Sequence, residues 1–149
     1  MIEVTCYVWP EWREALRDWL TTVLATSPTT WVREAFAPAD EDEDLREAWQ
    51  SDLSDALRDD LALLLGLLEE PGFGEGTMQL EEDVLLAAVR ALSALRLHLR
   101  QHALASISDP ALESGEWEVN ALTPEIRDAL TRYLQLGALQ ELLVNALDA

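Results

Sequence analysis

The chain has 149 residues, the length of a single domain (residues 1–149), and 49% of them are apolar, which excludes an intrinsically disordered chain. Its net charge is −19, and all 10 basic residues are arginine. A field of that sign repels phosphate backbones and anionic lipid surfaces, so the charge argues against nucleic acid and membrane partners.

The cysteine count and the apolar runs indicate where the protein works. Cys6 is the only cysteine, so no disulfide can form within the chain, which fits a reducing compartment. The longest apolar run, Leu61 to Leu68, is far shorter than the roughly 20 residues of a membrane span. The N-terminal residues lack the basic segment of a secretory signal. We therefore expect a cytoplasmic protein.

The N-terminal part reads as a strand followed by a helix. Ile2–Val8 is rich in β-branched and aromatic residues, which predicts a short strand. Its partner could be an unrecognised strand or a second protomer, or the segment could pack as an extended arm. Pro10 suits the first position of a helix. A separate, short helical turn is predicted further along the chain, at Trp31–Phe36. The first helix has the apolar stripe Trp12, Leu16, Trp19 and Val23.

The middle of the chain predicts two long helices separated by a loop. The acidic segment Ala37–Asp44 predicts a solvated connection, and Glu70–Thr77 holds three glycines and a proline, which predicts a loop. Helices are predicted over Leu45–Leu68 and Leu80–Leu104. Their buried stripes would be Leu45, Trp49, Leu53, Leu57, Leu61, Leu64 and Leu68 in the first, and Leu85, Ala88, Leu92, Leu95 and Leu99 in the second.

The C-terminal part predicts an irregular segment and a final helix. Asp109–Leu122 is polar, and Trp117 is expected to anchor it to the domain. Thr123 and Pro124 read as a helix cap and a first-turn proline. The helix to Leu147 is apolar on most sides, so its burial could need a second protomer. The predicted fold is mainly α, a single-domain helical bundle of about five helices with a short N-terminal β-strand.

His98 and His102 form the one pattern that could bind a metal. Their spacing can place two imidazoles on one ion, with a carboxylate as a third ligand. The segment lacks the glutamate of the HExxH motif, and Arg96 and Arg100 would repel a cation. The alternative, which we favour, is two partly exposed histidines near a helix end, without a metal.

No set of residues predicts catalysis. The sequence has no GxSxG motif, no P-loop and no GxGxxG motif, so we expect no cofactor. Cys6 lies among residues that offer no positive charge, which favours a buried cysteine over a redox switch. Six tryptophans indicate core packing or a surface for a partner protein.

Leu80–Leu99 resembles a stretch of the bacterial family known as domain of unknown function 2017. The steps Arg90-Ala91-Leu92 and Leu95-Arg96-Leu97 are similar to that family's pattern, although Ser93-Ala94 stands where the family usually has Asn-Asp. The segments VREAFAPADEDEDLREAW and YLQLGALQELLVNAL are similar to its acidic loop and its final helix.

The resemblance implies a mainly helical cytoplasmic protein. Members are often encoded beside the Clp protease adaptor, which implies a role in regulation or proteostasis. Some members look like transcriptional or redox regulators with paired cysteines. Because Cys6 is the only cysteine, a regulatory disulfide cannot form within this chain.

Arg90 and Arg96 are candidates for an ion pair between helices. Each lies beside an apolar stripe, so we predict that at least one pairs with an acid of another helix. The alternative is two surface arginines.

The first functional hypothesis is a non-enzymatic regulatory or protein-interaction module, with a protein partner or a second copy in a homodimer. The alternatives are a metal-binding domain or metal-dependent enzyme that uses His98 and His102, and a transcriptional regulator.

Overall fold

A computed structural model describes residues 1–26, 43–117 and 122–149. The predicted turn Trp31–Phe36 and most of the predicted connection Ala37–Asp44 lie outside these ranges, and the last two residues of that connection belong to a helix. The described part is mainly α with a short N-terminal strand, as predicted. Its elements are β1 (Ile2–Tyr7), α1 (Pro10–Ala25), α2 (Glu43–Glu69), β2 (Glu75–Leu80), α3 (Glu82–Gln101), α4 (Asp109–Ser114) and α5 (Pro124–Asp148).

The core lies where the apolar faces of the long helices meet. α3 packs between α2 and α5, and α1 packs on α2. Every residue of the stripe predicted for α3 is buried, because these positions follow one face of a regular helix. The largest fully buried side chains include Phe73, Leu20, Leu61, Leu64, Leu68, Leu85, Leu92, Leu95, Leu104, Leu136 and Leu143.

The stripe predicted for α2 is buried only in its C-terminal half. Leu61, Leu64 and Leu68 are buried, whereas Leu45 is 63% exposed and Trp49 is 41% exposed. The prediction of burial was therefore wrong for the start of this helix. α2 has 27 residues, a length of about 40 Å. Periodicity identifies the apolar face of a helix, but it does not show how far a neighbouring element covers that face.

The N-terminal strand pairs within the chain. β1 and β2 are antiparallel, with a register that runs from Ile2 opposite Leu80 to Tyr7 opposite Glu75. The alternatives of an extended arm and of a strand paired across a dimer were wrong. The loop prediction for Glu70–Thr77 was also wrong from Glu75 onward, where β2 begins. A strand that contains glycine can still form the hydrogen bonds of a β-sheet, and here Val4 and Cys6 of β1 supply buried side chains.

A glycine turn fixes where β1 ends. Gly74 has φ +83°, a conformation that favours glycine. A Cβ added at Gly74 would lie 3.0 Å from Cβ of Val8, so Val8 would have to move to admit any other residue there. The backbone N–H of Val8 donates to the carbonyl of Gly74 over 2.8 Å. This turn therefore holds the segment between β1 and α1 against the turn that precedes β2.

The C-terminal segments confirm two predictions and correct one. The segment predicted to be irregular contains α4, and Oγ of Ser108 accepts a hydrogen bond from N–H of Ala111 at its start. Such a cap can start a helix too short to show an apolar period. Trp117 packs partly buried against the core, as predicted. Oγ1 of Thr123 accepts from N–H of Ile126 over 3.3 Å, which confirms the predicted start of α5.

The last helix is only partly covered. Its buried apolar residues include Leu130, Tyr133, Leu136, Leu139 and Leu143, but Leu134 is 49% exposed. Among residues 1–26, 43–117 and 122–149, no helix combines the length and the apolar character that crossing a bilayer demands. β1 also packs against α5, so the N-terminal strand lies on the C-terminal helix.

Candidate functional site

An apolar groove of about 630 Å³ lies between the end of β1, the start of α1 and the middle of α5. We call it the aromatic groove, because Tyr7, Trp9 and Trp12 line one side of it. Ala138, Leu139 and Leu142 of α5 line the other side, Cys6, Val8 and Ala15 lie between, and Glu11 and Gln135 add polar groups. Its volume falls within the range of ligand pockets, about 300–1,000 Å³.

Two aromatic residues of the groove are strongly exposed. Strand alternation buries Val4 and Cys6 and directs Tyr7 outward. Tyr7 is 77% exposed and Trp9, in the link to α1, is 79% exposed. Trp and Tyr are enriched among the residues that contribute most of the binding energy in protein interfaces, and exposed apolar patches mark interaction sites.

Arg13 holds the groove's aromatic side in place. Its Nε donates to the carbonyl of Leu68 over 2.7 Å, and Nη1 donates to the carbonyl of Phe73 over 2.7 Å. Nη2 donates to the carbonyl of Glu70. These carbonyls lie at the C-terminal end of α2 and in the turn after it, where a cation also compensates the helix dipole. The start of α1 is thereby tied to the turn that leads into β2.

Sequence reasoning missed Arg13, although a signal was present. A cation near the N-terminus of a helix is unfavourable to that helix's own dipole. Arg13 follows Pro10, the first residue of α1, by three positions. Its position therefore suggests a partner on another element, which the last turn of α2 provides because it contains no basic residue of its own.

Cys6 is a buried residue that lines the groove. Its side chain is buried, as predicted from its strand position. Burial raises the pKa of the Cys6 thiol, because desolvation disfavours the thiolate. The thiolate is the form that reacts with electrophiles and metals, so the environment of Cys6 suppresses that chemistry.

The electrostatics of the groove are set by one carboxylate. Glu11 is the only charged residue among those that line it. It lies in the first turn of α1, where the helix dipole favours a negative charge. Glu75, an exposed residue, stands opposite Tyr7 in the strand register. The groove therefore combines three aromatic rings with one carboxylate of its own.

Arg90 confirms the predicted ion pair between helices. Its Nε donates to Oδ2 of Asp60 on α2 over 2.9 Å, and Nη2 donates to Oδ1 over 3.0 Å. This hydrogen-bonded pairing raises the pKa of Arg90. Because the Arg90 side chain is largely exposed, the pair joins α3 to α2 but contributes at most about 1 kcal/mol.

Arg96 packs against α5 and forms no ion pair with the residues that the structure describes. Its Cζ lies 4.6 Å from the centroid of the Tyr133 ring, and Nη1 donates to Oε1 of Gln140 over 2.9 Å. A Cβ on Gly137 would lie 3.3 Å from the Arg96 guanidinium, so the glycine makes room for it. Gln140 in turn donates to the carbonyl of Val89 over 3.2 Å. These contacts fix α5, and with it one side of the groove, on α3.

His98 and His102 do lie together, as their spacing predicts. Their ring centroids are 4.4 Å apart, and both line a small cleft of about 200 Å³ beside Trp19 and Thr26. In the described ranges, no third histidine, cysteine or carboxylate joins them in a group that could hold a metal ion. Arg100, which was expected to repel a cation there, pairs with Asp109 over 2.8 Å.

The cleft that contains Arg13 and Arg17 is not basic. Arg13 and Arg17 line one cleft, but three glutamates, Glu14, Glu69 and Glu75, line it with them. Arg13 is also engaged by three backbone carbonyls. A phosphate backbone would meet more negative than positive charge at this cleft, which argues against the transcriptional-regulator alternative.

The chain matches no family model, no curated protein and no solved structure. Membership of the family that Leu80–Leu99 resembles stays a prediction. Functional inference therefore depends on the aromatic groove and on the residues that build it.

Proposed function

We propose that the protein is a non-enzymatic interaction module that binds a segment of a partner protein in the aromatic groove. The observation that carries the proposal is the exposure of Tyr7 and Trp9 beside a large apolar cavity. Burying two such rings on a partner supplies a large hydrophobic contribution to binding. A regulatory role in the cytoplasm, as the family resemblance implies, is part of the same proposal.

The chemistry of the groove supports binding over catalysis. Its one thiol among the described residues, Cys6, is kept protonated by burial, and its one phenol, Tyr7, is strongly exposed. Its only carboxylate is Glu11, and no histidine lines the cavity. A thiol or hydroxyl nucleophile is commonly activated by an adjacent general base, and among the described residues the lining offers no histidine for that role.

Nuclear magnetic resonance of the tryptophan indole N–H groups tests this proposal. The probe is an uncharged amphipathic peptide of leucine and glutamine, titrated into the full chain. We expect the signals of Trp9 and Trp12 to shift, and those of Trp19, Trp49 and Trp117, which do not line the groove, to stay unchanged. Single tryptophan-to-phenylalanine variants assign the signals. Equal shifts of all signals, or none at Trp9 and Trp12, would contradict a binding role for the groove.

A homodimer through α5 is the second proposal, supported by the exposure of Leu134. Ala138 lines the aromatic groove and also a second cleft, where Leu134 and Val144 are the larger apolar residues beside Arg96, Gln140 and Glu141. The sequence also suggested a dimer because β1 lacked a partner, but β2 removes that reason. Sedimentation equilibrium of the wild-type chain and of Leu134→Glu tests it. A wild-type monomer at micromolar concentration would contradict it.

A further inference from the structure

We infer that the occupant of the aromatic groove is a cationic amphipathic segment of a partner protein, with lysine or arginine beside its apolar face. The inference rests on the proposed function of the groove and adds the chemistry of its partner. It follows from the charge of the groove, from its aromatic rings and from the way this chain already uses its own arginines.

The charge around the groove favours a cation. Among the described residues, Glu11 is the only charged one that lines the groove. Glu75, opposite Tyr7 in the sheet, is a second exposed carboxylate next to the groove, in a cleft that it shares with Arg13 and Arg17. The whole chain carries a net charge of −19. Complementary charge steers a partner toward a surface and suppresses partners of like charge. A basic segment is therefore attracted to the groove before it makes any contact.

The aromatic rings favour a cation at short range. Within the described ranges, Arg96 lies 4.6 Å from the ring centroid of Tyr133 and Arg132 lies 4.7 Å from that of Trp19. The groove's own rings, Tyr7 and Trp9 among them, are not covered in this way by any described arginine. Cations bind over the faces of Trp and Tyr, with Trp the stronger partner.

A second copy of the chain fits the groove less well. It would bring another net charge of −19 toward Glu11, and this repulsion is weakened only when salt screens it. A basic segment has the opposite dependence, because salt removes its attraction. The apolar side facing Trp12, made by Leu139 and Leu142, suits the apolar face of a helix laid in the groove.

The test compares three peptide probes on the full-length chain, each followed at the Trp9 and Trp12 indole signals. The first is an amphipathic helix of leucine and lysine. The second keeps its leucines and replaces every lysine with glutamine. The third has the composition of the first, with a scrambled order that removes the apolar face. We expect the first to bind at least tenfold more tightly than the other two at low salt, and less tightly as salt rises.

Two variants locate the effect. Trp9→Ala is expected to weaken binding of the first peptide about tenfold, since an anchoring aromatic ring is lost. Glu11→Gln is expected to weaken it about two- to fivefold at low salt and to have little effect at high salt. Trp49→Ala, which removes an exposed tryptophan from α2, is the matched control and should bind like the wild type.

The outcomes separate this inference from the proposed function. Equal binding of the leucine–lysine and leucine–glutamine peptides would overturn the cationic inference and leave the groove as a binding site. Equal binding of the scrambled peptide would also overturn it, because overall charge alone would then suffice. Self-association that grows with salt and is lost in Trp9→Ala would identify a second copy as the occupant and overturn it as well. No response at Trp9 or Trp12 to any peptide would overturn both.

Discussion

Replacing Arg13 with alanine tests how the start of α1 is held against the end of α2. In the structure, the Arg13 guanidinium donates to the carbonyls of Leu68, Glu70 and Phe73. Removing it leaves the carbonyl of Leu68, at the end of α2, without this donor. Removing it also takes away the cation that compensates the dipole of a helix with no basic residue in its last turn.

The structure sets the size of the expected loss. A hydrogen bond from a charged donor contributes about 1.5–3 kcal/mol, and the bonds to Leu68 and Phe73 are the two that are partly buried. Water can replace the third bond, to Glu70, because that site is exposed. We therefore expect Arg13→Ala to lower the free energy of unfolding by about 3 kcal/mol, the lower end of the sum for two bonds. For a chain of this length, that is a fall of roughly 6–12 °C in Tm.

Urea unfolding followed by far-ultraviolet circular dichroism measures the loss. Arg17→Ala is the matched control on the same helix, because Arg17 forms only loose ion pairs of 3.6 and 3.8 Å with Asp18 and Glu14. Its expected effect is within about 0.5 kcal/mol. Arg13→Lys should keep part of the stability, since lysine retains the charge but not the planar fork. If Arg13→Ala unfolds like Arg17→Ala, the three carbonyl contacts do not hold the two elements together.

Three further predictions concern packing and pH. Gly137→Ala should have little net effect in the wild type, because about 1 kcal/mol of helix propensity is offset by the Arg96 guanidinium 3.3 Å from the new Cβ. Arg96→Ala by itself should lower Tm. In the Arg96→Ala background, Gly137→Ala should stabilise the protein by about 1 kcal/mol. If the effects of the two substitutions are additive, the contact between the Cβ at position 137 and the Arg96 guanidinium is contradicted. Gly66→Ala should stabilise α2 by about 1 kcal/mol, since nothing lies within 4 Å of its Cβ position, and an unchanged Tm would count against this. Burial raises the pKa of the Cys6 thiol, so the folded state keeps a proton that the unfolded state releases. Stability should therefore fall as pH rises above about 8.5, the ordinary pKa of a cysteine thiol, and not below it. Cys6→Ala should remove that fall in urea titrations at about pH 8 and pH 10.

The sequence determined the helices through features that are local in the chain. The 3–4 spacing of apolar residues placed α3 and α5 to within a few residues, and Thr123 with Pro124 fixed the start of α5. The burial of Cys6 followed from its strand position. The prediction that Arg90 or Arg96 pairs with an acid of another helix is confirmed for Arg90, although the side chain of Arg90 is largely exposed and burial does not require the pair.

Only the tertiary structure decided which distant segments meet. β2 was hidden in a glycine-rich sequence, and its pairing with β1 joins Ile2 to Leu80. The carbonyl partners of Arg13 are backbone atoms, which carry no signature in the sequence. The aromatic groove unites Trp9 with Ala138, although more than a hundred residues separate them along the chain. Local periodicity shows which face of an element is apolar, but the packing of whole elements selects what that face contacts and what it leaves exposed for a partner.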